Sequence, residues 1–205
     1  MTPLLPLNWL AILFFGVLVL AADAGTTWTI DPIHSTIGFS IKHMLVATVH
    51  GRFDGFRGTI RLDDNHPDDA AVEVEIDAAS IDTGIKKRDE HLRSADFFDV
   101  AAYPTIAFRG MRGEPASPLR RDRWRVVGDL TIHGVTLPVE LAVEQTGGPE
   151  LWDVEVASFA ATTTISRKDF GLGLDLPLEK GEFVIGDDVK IAIDVQVVEG
   201  SIGGR

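Results

Sequence analysis

"VKIAIDVQVVEG", residues 189–200, decides the fold class. Val189, Ile191, Ile193, Val195 and Val197 alternate with Lys190, Asp194 and Gln196. A strand points successive side chains to opposite faces, so one face of this segment is dry and the other wet. The same period recurs upstream. Ile37, Phe39 and Ile41 alternate with Gly38, Ser40 and Lys42; Val72, Val74 and Ile76 alternate with Glu73, Glu75 and Asp77. Trp124, Val126, Leu130 and Ile132 share one parity, and Val135, Leu137, Val139, Leu141 and Val143 follow across a turn at His133-Gly134. These are antiparallel strands with one buried face.

Eight or nine strands are expected, at roughly 27–31, 35–42, 47–53, 56–62, 71–77, 104–110, 123–133, 135–144, 153–166 and 188–198, some of the early ones merging. Turn chemistry separates them at Asp63–Pro67, Gly113–Pro118 and Gly147–Pro149. Only residues 84–95 suggest a helix. Asp82 or Thr83 can cap it, and Lys86–Glu90 and Asp89–Arg93 put opposite charges four residues apart. Phe97 and Phe98 follow where the chain returns to the sheet. Dry faces must meet one another, in two stacked sheets or in one closed barrel, and periodicity leaves both open.

The chain ends bound the compartment. Residues 1–24 hold no Lys or Arg and one acid, Asp23; Trp9–Ala22 is apolar or glycine throughout. Ala22-Asp23-Ala24 supplies small residues where a signal peptidase reads, so cleavage before Gly25 is expected, leaving one domain over 25–205. The rival is an uncleaved anchor, for which the run is short of the ~20 residues that span a bilayer. Cleavage removes one acid and no base, so the formal charge moves from -12 to -11. That balance opposes nucleic acid, which is bound through basic patches. The absence of cysteine excludes disulfides, a lipobox and thiolate metal sites.

Five stretches together resemble the YceI-like family: "WTIDPIHSTIGFSIKHM" (28–44), "GRFDGFRGTI" (51–60), "IDAASIDTGIKKRDEHLRSADFFDVAAYPTIAF" (76–108), "GDLTIHGVTLPV" (128–139) and "ISRKDFGLG" (165–173). They stand in family order and cover nearly all of the chain after residue 25. The resemblance implies an all-β, lipocalin-like antiparallel barrel of about eight strands with one short helix near residues 84–95. It also implies periplasmic export, a long isoprenoid or related amphiphile in the lumen, frequent dimers and no catalytic site. "RRDRWR" (120–125) departs from the pattern and takes no family role.

A lumen of this kind draws its lining from Ile37, Phe39, Ile41, Ile76, Phe108, Ile132 and Ile193, with small residues such as Gly38, Ala160 and Thr162 leaving space where they face inward, and with Phe53, Phe56, Phe97, Phe98 and Phe159 as flat surfaces for a branched chain. Burial of hydrocarbon contributes about 0.8 kcal/mol per CH₂, against an association cost of ~4–15 kcal/mol, so long tails are favoured over short ones. Lys86, Arg88, His91 and Arg93 are the head-group candidates, with Lys87 beside them. The alternative is that Lys86, Lys87, Arg88 and Arg93 pair with Asp89, Glu90, Asp96 and Asp99 and face water. Residues 167–187 form a long connection, either a lid or a plain cap.

Other chemistry is weaker. His34, His43, His50, His66, His91 and His133 show no HxH or HExxH spacing, so no metal or other cofactor is expected. Asp31, His34 and Ser35 could sketch a hydrolase triad, but no GxSxG elbow accompanies them and neighbours on a strand diverge. Arg120, Arg121, Arg123 and Arg125 invite anionic membrane surfaces; the net acidity opposes this and limits membrane contact to a transient one. A filled, purely structural barrel is the remaining alternative.

Overall fold

The structure is a computed structural model, which describes residues 26–43, 47–62, 71–117, 120–148, 156–173 and 185–200. The expected leader, the turn at Asp63–Pro67, His66, residues 153–155 and most of the 167–187 connection lie outside the described residues.

Eleven strands form one antiparallel sheet. They are β1 (Thr26–Ile30), β2 (Thr36–His43), β3 (Ala47–Phe53), β4 (Phe56–Leu62), β5 (Ala71–Asp77), β6 (Ile81–Asp82), β7 (Thr105–Ser117), β8 (Arg120–Ile132), β9 (Val135–Gly147), β10 (Val156–Ser166) and β11 (Ile185–Glu199). The order β1-β4-β5-β7-β8-β9-β10-β11 returns to β1 through Trp28↔Glu199, Thr29↔Val198 and Ile30↔Val197, which closes an eight-strand barrel. Of the two packings that periodicity allowed, closure is the one adopted, and it pairs each of the eight strands on both sides over part of its length. Three of the eight paths are interrupted. β2 continues β1 along β11, β3 continues β4 along β2, and β6 continues β5 along β3.

β7 begins opposite Asp77, so β6 has no strand on that side. The helix α1 (Lys86–Arg93) packs against β6 instead. It is shorter than the expected 84–95, and its ends are made differently. Ile85 occupies the N-cap position without a side-chain bond, while Asp82 accepts from the Gly84 N–H. Asp89 does not pair with Arg93. It is 6% exposed and accepts from the Thr83 N–H at 2.9 Å and the Thr83 hydroxyl at 2.5 Å. A buried carboxylate needs such donors, and Thr83 supplies two at one residue.

β7 also runs through the expected Gly113–Pro118 turn. Gly113, Glu114 and Pro115 pair with Val126, Arg125 and Trp124, after a register shift between Gly110 and Arg112. The proline is tolerated because β5 pairs with β7 only as far as Gly110. Beyond that point β7 has no partner on that side among the described residues, and at such an edge a missing N–H costs no ladder bond. The His133-Gly134 turn has φ of 50° and 76°, the two positive values of a type I′ hairpin.

Candidate functional site: an apolar cavity inside the barrel

Strand parity builds the site. Each strand turns one alternating set inward: Ile37, Phe39 and Ile41 from β2, Val139, Leu141 and Val143 from β9, and Ile191, Ile193 and Val195 from β11. They enclose a cavity of about 1200 Å³. The space persists because the lining includes small residues, Gly38 on β2 as expected and Ala161 and Thr163 on β10. Ala160 and Thr162, the expected pair on β10, fall on the other parity and do not line this cavity. The filled-barrel alternative is therefore corrected: the interior is hollow.

Ile37, Phe39, Ile41, Phe53, Ile76, Phe97, Phe98, Phe108, Ile132, Phe159 and Ile193 line this one cavity; Phe56 does not, and packs against the two core clusters instead. Aromatic contacts link the wall to the corner after α1. Phe39 and Phe53 have ring centroids 5.7 Å apart, and Phe53 meets Phe98 edge-on at 6.0 Å. Gly51 makes room for this row, since a Cβ there would collide with the Phe39 ring.

The head-group candidates separate. Arg88 and His91 line the cavity; Lys86 and Arg93 do not. Lys86 reaches Glu90 at 3.9 Å on the solvent side. Arg93 donates to the carbonyls of Ala79 at 2.6 Å and Ile81 at 2.7 Å, which ties the helix to the turn before β6. His91 lies 3.4 Å from Asp96 and edge-on to Phe97. Arg88 makes no ion pair among the described residues. Its Nε donates to Thr83 Oγ1 at 2.7 Å and its Nη2 to the Thr83 carbonyl at 2.8 Å. The alternative that these cations pair with neighbouring acids thus holds for Lys86 and fails for Arg88 and Arg93. Side-chain reach is the reason: both arginines meet main-chain or hydroxyl acceptors of residues 79–83 first.

Sequence reasoning missed Arg167 and Lys168, which also line the cavity, beside Leu172 and Gly173. Both stand in the stretch "ISRKDFGLG", directly after the last inward residue of β10, and that placement was the available signal. Arg167 is 13% exposed; it donates to the carbonyls of Gly186 at 3.0 Å and Leu172 at 2.7 Å and lies 3.2 Å from Asp187. Lys168 meets the other oxygen of Asp187 at 2.9 Å.

The hydrogen bond from Lys168 holds the Asp187 carboxyl below its usual pKa, helped by the charges of Lys168 and Arg167 and opposed by partial burial. A depressed carboxylate stabilises the fold above its unfolded pKa of about 3.9 and loses that contribution as pH falls through the lower folded value. The thermal midpoint of Asp187→Asn should accordingly lie below that of the wild type at pH 7, and the gap should close below about pH 4. A gap independent of pH would remove the charge as its cause.

The remaining candidates do not converge. No group of three metal-binding side chains occurs among the described residues. His34 contacts Asp31 at 2.8 Å, but the Ser35 hydroxyl is bonded to the main chain of Gln196. Arg123 pairs with Glu144 and Arg125 with Glu114, which matches a solvated strand pair. No helix among the described residues is long and apolar enough to cross a membrane.

Comparisons with known proteins agree with this architecture. The YceI-like domain family matches residues 28–197. Protein YceI of Escherichia coli O157:H7 is 35% identical over 176 residues, 84% of this chain and 88% of that protein. A UPF0312 protein of Pseudomonas aeruginosa is 36% identical over 144 residues, covering 70% and 73%. Among solved structures, BcnA of Burkholderia cenocepacia superposes with a TM-score of 0.70 at 23% identity, covering 82% of this chain and 98% of that one. A polyisoprenoid binding domain from Saccharophagus degradans superposes with a TM-score of 0.59 at 18% identity, covering 84% and 98%. The inward parity, the closed ring and the family match over nearly the whole described region lead to one statement: this chain belongs to the YceI-like family.

Proposed function

We propose that the protein is an exported, non-enzymatic carrier or sequestering protein that holds a long-chain isoprenoid, quinone-like or related amphiphilic lipid inside the barrel. The observation that carries this is the hollow, apolar interior of about 1200 Å³. It exceeds the ~300–1,000 Å³ of ordinary small-molecule pockets. An apolar cavity of roughly 150 Å³ takes up one benzene, so this one has space for about eight such rings. An isoprene unit has nearly as many carbons, so a tail of several units fits. The likeness to a polyisoprenoid binding domain supports the same ligand class.

Binding by burial alone needs no reacting group, and length selects itself. Each added CH₂ contributes about 0.8 kcal/mol, so only a long tail outweighs the ~4–15 kcal/mol cost of association. Native mass spectrometry of protein purified from its own host without detergent is the test. A retained species of several hundred daltons that extracts into organic solvent is expected. Protein that carries no such species, or a zinc ion lost on chelation in its place, would overturn the proposal.

A further inference from the structure

The cavity wall has a charge bias opposite to that of the chain. The protein carries 31 acidic against 19 basic residues. Yet the described residues around the cavity include Arg88, Arg167 and Lys168 and no Asp or Glu. The carboxylates that hold these cations stand behind them, outside the lining. Asp187 takes Arg167 and Lys168 together, leaving one positive charge in excess. Asp89 reaches Arg88 only through the Thr83 hydroxyl, which accepts from Arg88 and donates to Asp89.

The cations also share one end of the barrel. Arg88 lies on α1, which packs on β6; Arg167 and Lys168 follow β10, whose last residue pairs with Asp188 near the start of β11. Ile185 at that start pairs with His43 at the end of β2. Trp28 and Trp124 line the cavity toward the other end, where β1 and β8 begin. A guanidinium fixed by two hydrogen bonds, at the edge of an apolar space, has unused N–H groups and is weakly screened.

From this asymmetry we infer that the cavity selects lipids whose head carries an oxyanion, seated at the α1 end against Arg88, with the excess charge of Arg167 and Lys168 beside it. This rests on the lipid-binding reading above and adds the sign and position of the head. Asp89 is a positioning residue: it lies outside the lining and acts through Thr83, which itself lines the cavity and fixes the guanidinium. Phosphate and carboxylate heads share the required chemistry; a cationic head meets Arg88, Arg167 and Lys168 there, and no carboxylate lines the wall among the described residues.

The test uses four probes with one geranylgeranyl tail and different heads: monophosphate, carboxylic acid, alcohol and amine. Binding is read by tryptophan fluorescence and by native mass spectrometry of delipidated, refolded full-length protein. The phosphate and the acid should bind at least about tenfold tighter than the alcohol, the scale of one charge-assisted hydrogen bond, and the amine weaker than the alcohol. Arg88→Gln should bring the ratio of acid to alcohol close to one. Arg88→Lys should keep part of the preference, and Lys168→Gln should reduce it. Equal binding of alcohol and phosphate by the wild type would overturn the head-group inference while leaving the lipid reading standing. So would an undiminished ratio in folded Arg88→Gln. If none of the four probes binds, the lipid reading falls and the head-group inference with it. A preference for phosphate alone, or for both acids, separates the two sources.

Discussion

Ala161→Trp should leave the barrel folded and empty it of lipid. Ala161 is the midpoint of β10, faces the cavity, and pairs with Ile193 on β11 and Val143 on β9. An indole there projects into the void across the path of any tail running the length of the barrel. Inserting a large side chain into a packed core forces neighbours aside at ~1–3 kcal/mol, but here the new atoms enter empty space. Displacing about five CH₂ groups of a tail at ~0.8 kcal/mol each removes about 4 kcal/mol of binding. That is roughly a thousandfold in affinity. Native mass spectrometry of the variant from its host should show bare protein, with a thermal midpoint at or above that of delipidated wild type. A variant that retains wild-type lipid would mean the tail avoids the middle of the barrel, and the proposed seat would be wrong.

Which large apolar residues face that void was readable from alternation on most strands; on β10, where Ala160, Ala161, Thr162 and Thr163 offer no apolar–polar contrast, it was not, and the inward pair is Ala161 and Thr163. Ile37, Phe39 and Ile41, or Val189 to Val197, announce their shared face because the strand period is two and water is on one side. Closure was not readable in the same way. It rests on Trp28↔Glu199 and its neighbours, pairings between chain ends that leave no local mark. The extension of β7 past Gly110 was hidden by Pro115, whose usual meaning is a turn. Its meaning here depends on where β5 stops, which is a fact about another strand.

The polar end of the cavity was harder still. Charge spacing at four residues suggested Asp89–Arg93, but both groups found stronger partners off the helix. Surface ion pairs contribute about 0.3–0.5 kcal/mol on a helix, whereas a hydrogen bond to a charged group contributes about 1.5–3 kcal/mol. The charged hydrogen bond wins whenever folding brings a main-chain carbonyl within reach. Arg167 and Lys168 were overlooked for a related reason. Their importance comes from Asp187, on the far side of the long connection, and from the cavity that both strands enclose.

Two phenylalanines, Phe170 at this end and Phe159 toward the Trp28 end, separate packing from lining, and truncating them gives the second large expected effect. Phe170 is 1% exposed, closes the 3-10 turn Arg167–Phe170 and belongs to the main core cluster with Ile165 and Leu172. Gly171, at φ 69°, lets the chain reverse directly after it. Phe159 is only partly buried and lines the cavity. Phe170→Ala deletes a ring with protein around it and should cost about 3–5 kcal/mol. In a domain of this size each kcal/mol lowers the thermal midpoint by roughly 2–4 °C, so a fall of about 10 °C is expected. Phe159→Ala in delipidated protein should cost clearly less, because a side chain bordering a void has already lost the dispersion contacts on that side. With lipid bound the difference should shrink, since the tail supplies the missing neighbours. Urea midpoints of both variants, with and without extraction of lipid, measure this directly. Equal losses at the two positions in lipid-free protein would mean that side chains fill the interior, and every argument from the hollow barrel would fail together.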